Sequence, residues 1–291
     1  MIVEPARRDE FLALMRETYA DGAMGEDEFA WWFDGNPVPP RCVSAAREED
    51  GTALGVLAMS PVRTDACLAA CSVHGVTTPA ARGRGVFTTL ERHNEAEVVA
   101  AGVGWTLAFS NPRTLPIFLG PLGWRELASL RLWVRPRRFR RTGAGGYRGE
   151  PSCPPFEERH RLAFPVHHIL REPWYLTWRY SDSPRRYHRV EHGGGWAVVR
   201  ATVWHGFSVA IVCEAAGPRL ASLLRRALAT TETDIALALV NPGDERAYLA
   251  AGFLPTPRSI PFVAKRLRED APPLPAGRKA WRFTLGDMDF F

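Results

Sequence analysis

Glycine and arginine alternate in the segment Arg82–Gly85, which follows an apolar stretch at Ala69–Val76 and precedes a helix-like stretch. Glycines spaced one residue apart let a backbone turn tightly and approach a ligand without a Cβ clash. The first turn of the following helix presents N–H groups that no helical carbonyl accepts, with the positive end of the helix dipole behind them. Arg82 and Arg84 add positive charge. The segment therefore predicts a pyrophosphate-binding loop.

Other phosphate-binding patterns are missing from the sequence. It contains no Gly-x-x-x-x-Gly-Lys-Ser/Thr segment, which argues against P-loop hydrolysis. It also lacks a complete Gly-x-Gly-x-x-Gly after an N-terminal strand, which argues against a dinucleotide-binding fold. For a motif this short, a simple turn that binds nothing is the competing interpretation.

One histidine and two aspartates are the candidate bases for chemistry beside this loop. His74 lies two residues before Val76 on the predicted strand, and a histidine titrates near neutral pH. Asp287 and Asp289, near the end of the chain, are the second choice. The competing interpretations are a packed strand histidine and solvated tail carboxylates.

Cysteine and histidine usage predicts neither a metal site nor a disulfide framework. The five cysteines form no Cys-x-x-Cys pair, and their number is odd. The neighbouring His167 and His168 belong to no metal-binding spacing. This usage is typical of a reducing compartment, so we expect a cytoplasmic protein.

Composition places the 291-residue chain among globular proteins, with 46% hydrophobic and 24% charged residues. The net charge of +5 suits an anionic ligand without requiring nucleic acid. No apolar run is long enough for a membrane span, and the first residues do not resemble a signal peptide. The basic run Arg137–Arg141 could touch RNA, but such runs are usually solvated.

Two sets of landmarks recur along the sequence in the same order. Trp31–Pro37 aligns with Trp178–Pro184 through a tryptophan, an aromatic residue and a proline. The second set is Asn-Pro, then an aromatic-Leu pair, then Gly-aromatic; it begins at Asn111 and again at Asn241. Two ordered matches indicate a duplicated unit rather than chance.

Around these landmarks the hydrophobic pattern predicts the same elements twice: a helix, a strand ended by Asn-Pro, a short helix and a further strand. The fold class expected is α/β with a mixed sheet, in two tandem units. The predicted boundaries are 1–135 for the first unit, 136–160 for an exposed, basic, Gly- and Pro-rich linker, and 161–291 for the second unit.

The loop and its surroundings resemble the GNAT acetyltransferase superfamily, whose signature is Arg/Gln-x-x-Gly-x-Gly/Ala. Arg82 and Gly85 match the first and fourth positions, and Phe87 departs from the sixth. The resemblance implies that acetyl-CoA or another acyl-CoA is the co-substrate. Its pantetheine would lie between two splayed strands, lined by backbone near Val76 and Thr78 and faced by Asn111. The cofactor-binding residues expected on this basis are Val76, Thr77, Thr78, Arg82, Gly83, Arg84, Gly85, Val86, Phe87 and Asn111.

The second unit has Glu214–Arg219 in place of the loop, without paired glycines and with a proline that removes a donor. We therefore expect CoA binding in the first unit alone. The Trp178 element and the tail from Trp281 are similar to a bacterial subgroup of tandem GNAT proteins. The degenerate unit and its tail, with Trp281, Phe283, Asp287 and Asp289, would then form the acceptor pocket.

The function implied is transfer of a short acyl group from acyl-CoA to a primary amine of a small molecule, with an amino sugar or a natural-product intermediate as the candidate acceptor. Superfamily members often place a tyrosine in the short helix after the second strand to protonate the leaving thiolate, where this chain has Phe118. The alternatives are an aminoacyl-tRNA-dependent transferase and a non-catalytic CoA-binding scaffold. The sequence does not indicate an oligomeric state.

Overall fold

The computed structural model describes residues 1–19, 24–137, 146–204 and 206–288. It divides the chain into two compact units. Unit 1 comprises Met1–Ala128 and Pro261–Ala276, and unit 2 comprises Ser129–Ile260 and Gly277–Phe291. Within the described residues, no helix is long and apolar enough to cross a membrane.

Thirteen strands and seven α-helices occur in the described part of the chain. The strands are β1 (Ile2–Pro5), β2 (Cys42–Arg47), β3 (Ala53–Arg63), β4 (Leu68–Thr77), β5 (Trp105–Phe109), β6 (Arg125–Pro136), β7 (Gly146–Tyr147), β8 (His188–His192), β9 (Gly195–Trp204), β10 (Phe207–Ala216), β11 (Thr231–Glu232), β12 (Ile235–Leu239) and β13 (Leu254–Arg266). The helices are α1 (Arg8–Tyr19), α2 (Glu26–Phe29), α3 (Val86–Ala100), α4 (Leu115–Leu119), α5 (Pro173–Leu176), α6 (Leu220–Ala229) and α7 (Glu245–Ala250).

In unit 1 the sheet order is β1-β2-β3-β4-β5, completed by the C-terminal half of β13. All neighbours are antiparallel except β4 and β5, which run parallel. Helix α3 packs on β2, β3 and β4 through a stripe with a four-residue period, Val86, Leu90, Asn94 and Val98. The apolar members of this stripe extend the core of the unit.

Unit 2 repeats this arrangement with the order β6-β12-β10-β9-β8. Strands β10 and β12 are its parallel pair, and their neighbours are antiparallel. Helix α6 covers the sheet with Leu220, Leu223, Leu224 and two further apolar residues. The mixed α/β fold predicted from the sequence is confirmed.

The duplicated landmarks have the same local structure in both units. A five-residue π-helical turn follows α2 at Ala30–Asp34, and another follows α5 at Thr177–Ser181. Trp31 and Trp178 are the second residues of these turns, and both are buried. The first set of landmarks therefore has the same local structure in both units.

The observed unit boundaries differ from the predicted ones. Residue 135 lies inside β6, and the last strand crosses from unit 2 to unit 1 because Phe262–Arg266 pairs with β5. Residues 138–145 of the predicted linker lie outside the described residues. Its described part belongs to unit 2: the Tyr147 hydroxyl donates to the Arg186 carbonyl at 2.6 Å, and Phe156 is buried. The segment predicted from its composition to be a linker therefore contains side chains that pack in unit 2.

Candidate functional site

The glycine loop has the geometry that anion binding requires. Gly83 and Gly85 adopt left-handed conformations, with φ of 78° and 76°. A Cβ at either position would meet nothing within 4 Å, so backbone conformation rather than crowding demands glycine. The first α3 hydrogen bond runs from the Thr89 N–H to the Gly85 carbonyl at 2.9 Å. The N–H groups of Val86, Phe87 and residue 88 therefore have no acceptor within the helix.

The two loop arginines are exposed at the same end of α3. Arg84 forms an ion pair with Glu48, and both side chains are partly solvated, so the pair adds little stability. Arg82 and Arg84 can thus turn toward an anion at small cost. With no acidic residue in the first helical turn, this end of α3 is electropositive.

A gap opens between β4 and β5 next to the loop. Their parallel pairing covers three rungs and ends at Cys71 and Leu107, although β4 continues to Thr77. A β-bulge accompanies the divergence, since Leu57 of β3 faces both His74 and Gly75. Bulges bend a strand and terminate pairing, which gives the splayed arrangement expected from the sequence.

The ladder between β3 and β4 decides which backbone groups face this gap. The Thr78 N–H donates to the Leu54 carbonyl at 2.9 Å, and Val76 is paired with Val56 in the same ladder. Because hydrogen-bonded and non-bonded pairs alternate, the polar groups of Thr77 point away from β3. The backbone N–H and carbonyl of Thr77, rather than those of Val76 and Thr78, therefore lie on the side of the gap.

Phe87, which departs from the superfamily signature, packs across the start of the gap. Its ring contacts Phe118 of α4 edge-to-face, with centroids 5.6 Å apart. A Cβ on Gly75 would lie 3.0 Å from the Phe87 ring and 2.8 Å from Leu57. The large side chain at position 87 is thus matched by the missing one at position 75.

His74 occupies the bulge with φ of 52°, the single positive value among non-glycine residues of the described chain. Its ring contacts Trp32 and Phe33 edge-to-face, at centroid distances of 5.3 and 5.9 Å. His74 therefore lies in an aromatic environment, at the place where β4 leaves β5. His74 directly precedes Gly75 in the bulge and lies close to the gap.

Asn111 and Phe118 follow β5. The Asn111 carboxamide oxygen accepts from the N–H groups of Arg113 and Thr114 at 2.9 and 3.2 Å, so the residue forms a tight turn at the strand end. Phe118 is 3% exposed and packs on Trp124 at 4.6 Å. No hydroxyl is therefore available at position 118.

Asp287 has a structural environment rather than the exposed one expected of a tail carboxylate. It lies 2.7 Å from the Arg171 guanidinium, and the two side chains are 1% and 3% exposed. Glu214 shares the same guanidinium at 2.6 Å. Burial raises the pKa of the Glu214 carboxyl, while Arg171 opposes that shift. Asp287 therefore neutralises a buried cation, and Asp289 lies outside the described residues.

The tail that carries Asp287 lies across the equivalent gap of unit 2. Strands β10 and β12 also pair over three rungs, ending at Ile211 and Leu237. Asn241, after β12, donates to the Phe283 carbonyl at 2.9 Å and accepts from its N–H at 3.0 Å. A Cβ on Gly286 would lie 2.7 Å from the Cys213 carbonyl of β10. Trp281 and Phe283, expected in an acceptor pocket, are 1% and 0% exposed.

The sequence analysis did not predict the polar residues on the buried face of α3. Glu91 and Asn94 are 0% exposed, and the Glu91 carboxylate accepts from the Ser72 hydroxyl at 2.8 Å. A glutamate in a helix usually reads as solvated. The signal available was the stripe Val86, Leu90, Asn94 and Val98, in which one polar residue interrupts an apolar face.

No model of a known protein family and no curated protein matches the chain. Solved structures do match. A conserved protein of unknown function from Enterococcus faecalis V583, described as a probable N-acyltransferase, has a TM-score of 0.60 at 10% identity, covering 91% of this chain and 72% of its own. Eis1 from Mycobacterium abscessus matches with a TM-score of 0.57 at 13% identity, over 91% of this chain and 73% of its own. A GCN5-related N-acetyltransferase from Anabaena variabilis ATCC 29413 matches with a TM-score of 0.57 at 10% identity, over 92% of this chain and 73% of its own.

These similarities extend over nine-tenths of the chain and therefore include both units. The chain has the fold of the GCN5-related N-acetyltransferases, the GNAT fold that the sequence motif indicated. At such low identity the likeness defines the fold, and activity must be argued from the site itself.

Proposed function

We propose that this protein is an acyl-CoA-dependent N-acyltransferase whose unit 1 binds the cofactor and transfers a short acyl group to a primary amine of a small molecule. One observation carries the proposal: a loop with two left-handed glycines leads into α3 beside the gap between β4 and β5. Free helical N–H groups and two arginines favour a diphosphate at the loop. The backbone of Thr77 offers a donor and an acceptor to an extended chain that carries amides.

Acyl-CoA would supply an activated thioester, and the protein's contribution is to orient it and to manage protons. The amine must attack in its neutral form, and His74 at the bulge is the candidate base. Asp287 is left out of the mechanism because it neutralises Arg171 in the interior of unit 2. The acceptor would be an amino sugar or a natural-product intermediate, as proposed from the sequence.

The basic run Arg137–Arg141 is the sequence feature that favours the aminoacyl-tRNA alternative. Arg137, the member of that run within the described residues, donates to the hydroxyls of Thr231 and Thr233 at 2.8 Å. Its charge is thus engaged in unit 2. The scaffold alternative keeps one supporting feature, the phenylalanine at position 118.

Titration calorimetry with acetyl-CoA tests the cofactor site. We expect one site per chain. We expect Gly85→Val to weaken binding at least tenfold, about 1.4 kcal/mol, since the side chain strains the loop and intrudes on the anion. Gly102→Val is the matched control, because Gly102 also has a left-handed φ, 90°, but lies at the opposite end of α3. Equal affinities of the parent and the Gly85→Val variant would overturn the loop assignment.

Thiol release during incubation with acetyl-CoA and a panel of amines separates the activities. Transfer to small amines supports the proposal. Binding of acetyl-CoA without transfer to any amine would support the scaffold. A parallel incubation with aminoacyl-tRNA is followed by release of uncharged tRNA, and transfer in that assay alone would support the second enzyme class.

A further inference from the structure

Helix α3 buries polar side chains that its counterpart in unit 2 does not. Glu91, Asn94 and Glu95 are 0%, 0% and 7% exposed. The five residues that α6 buries at the equivalent place are all leucine or alanine. A buried polar group costs free energy unless it is fully hydrogen-bonded, so the fold itself does not call for these residues. Their burial therefore needs an explanation that is specific to unit 1.

Glu95 has a structural explanation. One of its carboxylate oxygens accepts from the Trp124 indole at 2.7 Å, and the other from the Lys265 ammonium at 2.6 Å. Both acceptors are therefore used. Glu95 ties α3 to β13 and to Trp124, the residue before β6, which accounts for its burial.

Glu91 has no such explanation. One carboxylate oxygen accepts from Ser72, while the other is buried without a hydrogen bond to any described residue. Burial raises the pKa of Glu91 to about 8; Ser72 lowers it, Glu95 raises it and Lys265 lowers it. The Cys42 thiol on β2 also faces this region, and burial raises its pKa so that it stays neutral. Near neutral pH the Glu91 carboxyl therefore holds a proton.

Ser72 connects this proton to the gap. It is the first residue of β4 after Cys71, where pairing with β5 ends, and it is partly exposed. Ser72 therefore lies at the apex of the gap, and its hydroxyl contacts the Glu91 carboxyl on the buried face of α3 at 2.8 Å. Position 118 is a buried phenylalanine and offers no hydroxyl.

We propose that Glu91, acting through Ser72, supplies the proton taken up by the thiolate that leaves during acyl transfer. The inference rests on the proposed function. As the C–S bond breaks, its electron pair stays on sulfur, and the thiolate takes the Ser72 hydroxyl proton. For this step the Ser72 hydroxyl, which donates to Glu91 in this structure, turns toward the sulfur, and its oxygen takes the Glu91 proton, which leaves a carboxylate. The amine loses one proton to the base and solvent, and Glu91 regains one from solvent, so the cycle closes.

The test compares kcat across pH for the parent, Glu91→Gln, Ser72→Ala and Ser72→Thr. The active form of Glu91 is protonated, so Glu91 contributes an alkaline limb on which the parent's kcat falls as pH rises through about 8. We expect kcat in Glu91→Gln and Ser72→Ala to drop about 100-fold, the range of general acid catalysis, and to lose that alkaline limb. Ser72→Thr keeps a hydroxyl and should retain both the parent's kcat and its alkaline limb. Glu97→Gln, an exposed glutamate on the same helix, is the matched control.

A second measurement does not depend on turnover. Among infrared bands of protonated carboxyls near neutral pH, the parent should show one that Glu91→Gln lacks, with unchanged acetyl-CoA affinity. An unaltered alkaline limb in Glu91→Gln, or no such band in the parent, would overturn the inference alone. A parent that transfers no acyl group would overturn the proposed function, and the proton route with it.

Discussion

His74 combines a candidate chemical role with an uncommon backbone conformation. Its φ of 52° is accessible to asparagine but costly for a β-branched residue. We therefore expect His74→Val to be less stable than His74→Asn by about 1–2 kcal/mol, measured by urea unfolding. Since both variants lack the imidazole, kcat of the Asn variant then reports on the base alone. Full turnover in His74→Asn would make the histidine purely structural.

Asp287 illustrates how burial changes the meaning of a residue. Its carboxylate neutralises Arg171 in the interior of unit 2, and removing one partner of a buried ion pair costs about 3–5 kcal/mol. We expect Asp287→Asn to lose about 3 kcal/mol of unfolding free energy. Asp270→Asn, which breaks an exposed pair with Arg268, should change stability little. A variant of unchanged stability but lost turnover would restore Asp287 to the mechanism.

At the scale of elements, the start of α3 and the bulge of β4 are matched in shape. Gly75 leaves room for Phe87, and an added methyl would press on that ring and on Leu57. We expect Gly75→Ala to cost about 1–3 kcal/mol through overpacking. In a double-mutant cycle, Phe87→Leu should recover part of this loss. Strict additivity would show that the two positions do not share the space.

Most elements could be predicted because their signals are local. Asn-Pro ends a strand, Gly-aromatic pairs end short helices, and a glycine loop precedes α3. What could not be predicted depends on pairing between strands. The alternation that turns Thr77 toward the gap follows from the register of β3 on β4, and a shift of one residue would reverse it. The ion pair of Asp287 joins residues more than a hundred positions apart, so no local pattern announces it.

At the scale of the whole molecule, the duplicated unit shows two uses of one framework. Each unit has a parallel strand pair that separates after three rungs and an asparagine that follows the second strand. In unit 2 the chain's own tail lies across the gap, held by Asn241. In unit 1 the gap lies beside the glycine loop. The degenerate loop and the tail thus give two independent reasons to expect no cofactor site in unit 2.

The two asparagines provide a matched test of this difference. Asn241 is buried and makes two hydrogen bonds to the Phe283 backbone, so Asn241→Ala should cost about 2–4 kcal/mol of unfolding free energy and leave acetyl-CoA affinity unchanged. Asn111 is exposed, so Asn111→Ala should change stability little. If it faces the cofactor, affinity should fall about tenfold, the free energy of roughly one good hydrogen bond. Urea unfolding and calorimetry on both variants measure the contrast. If Asn241→Ala lost acetyl-CoA binding and Asn111→Ala kept it, the cofactor site would lie in unit 2 and the assignment to unit 1 would be wrong.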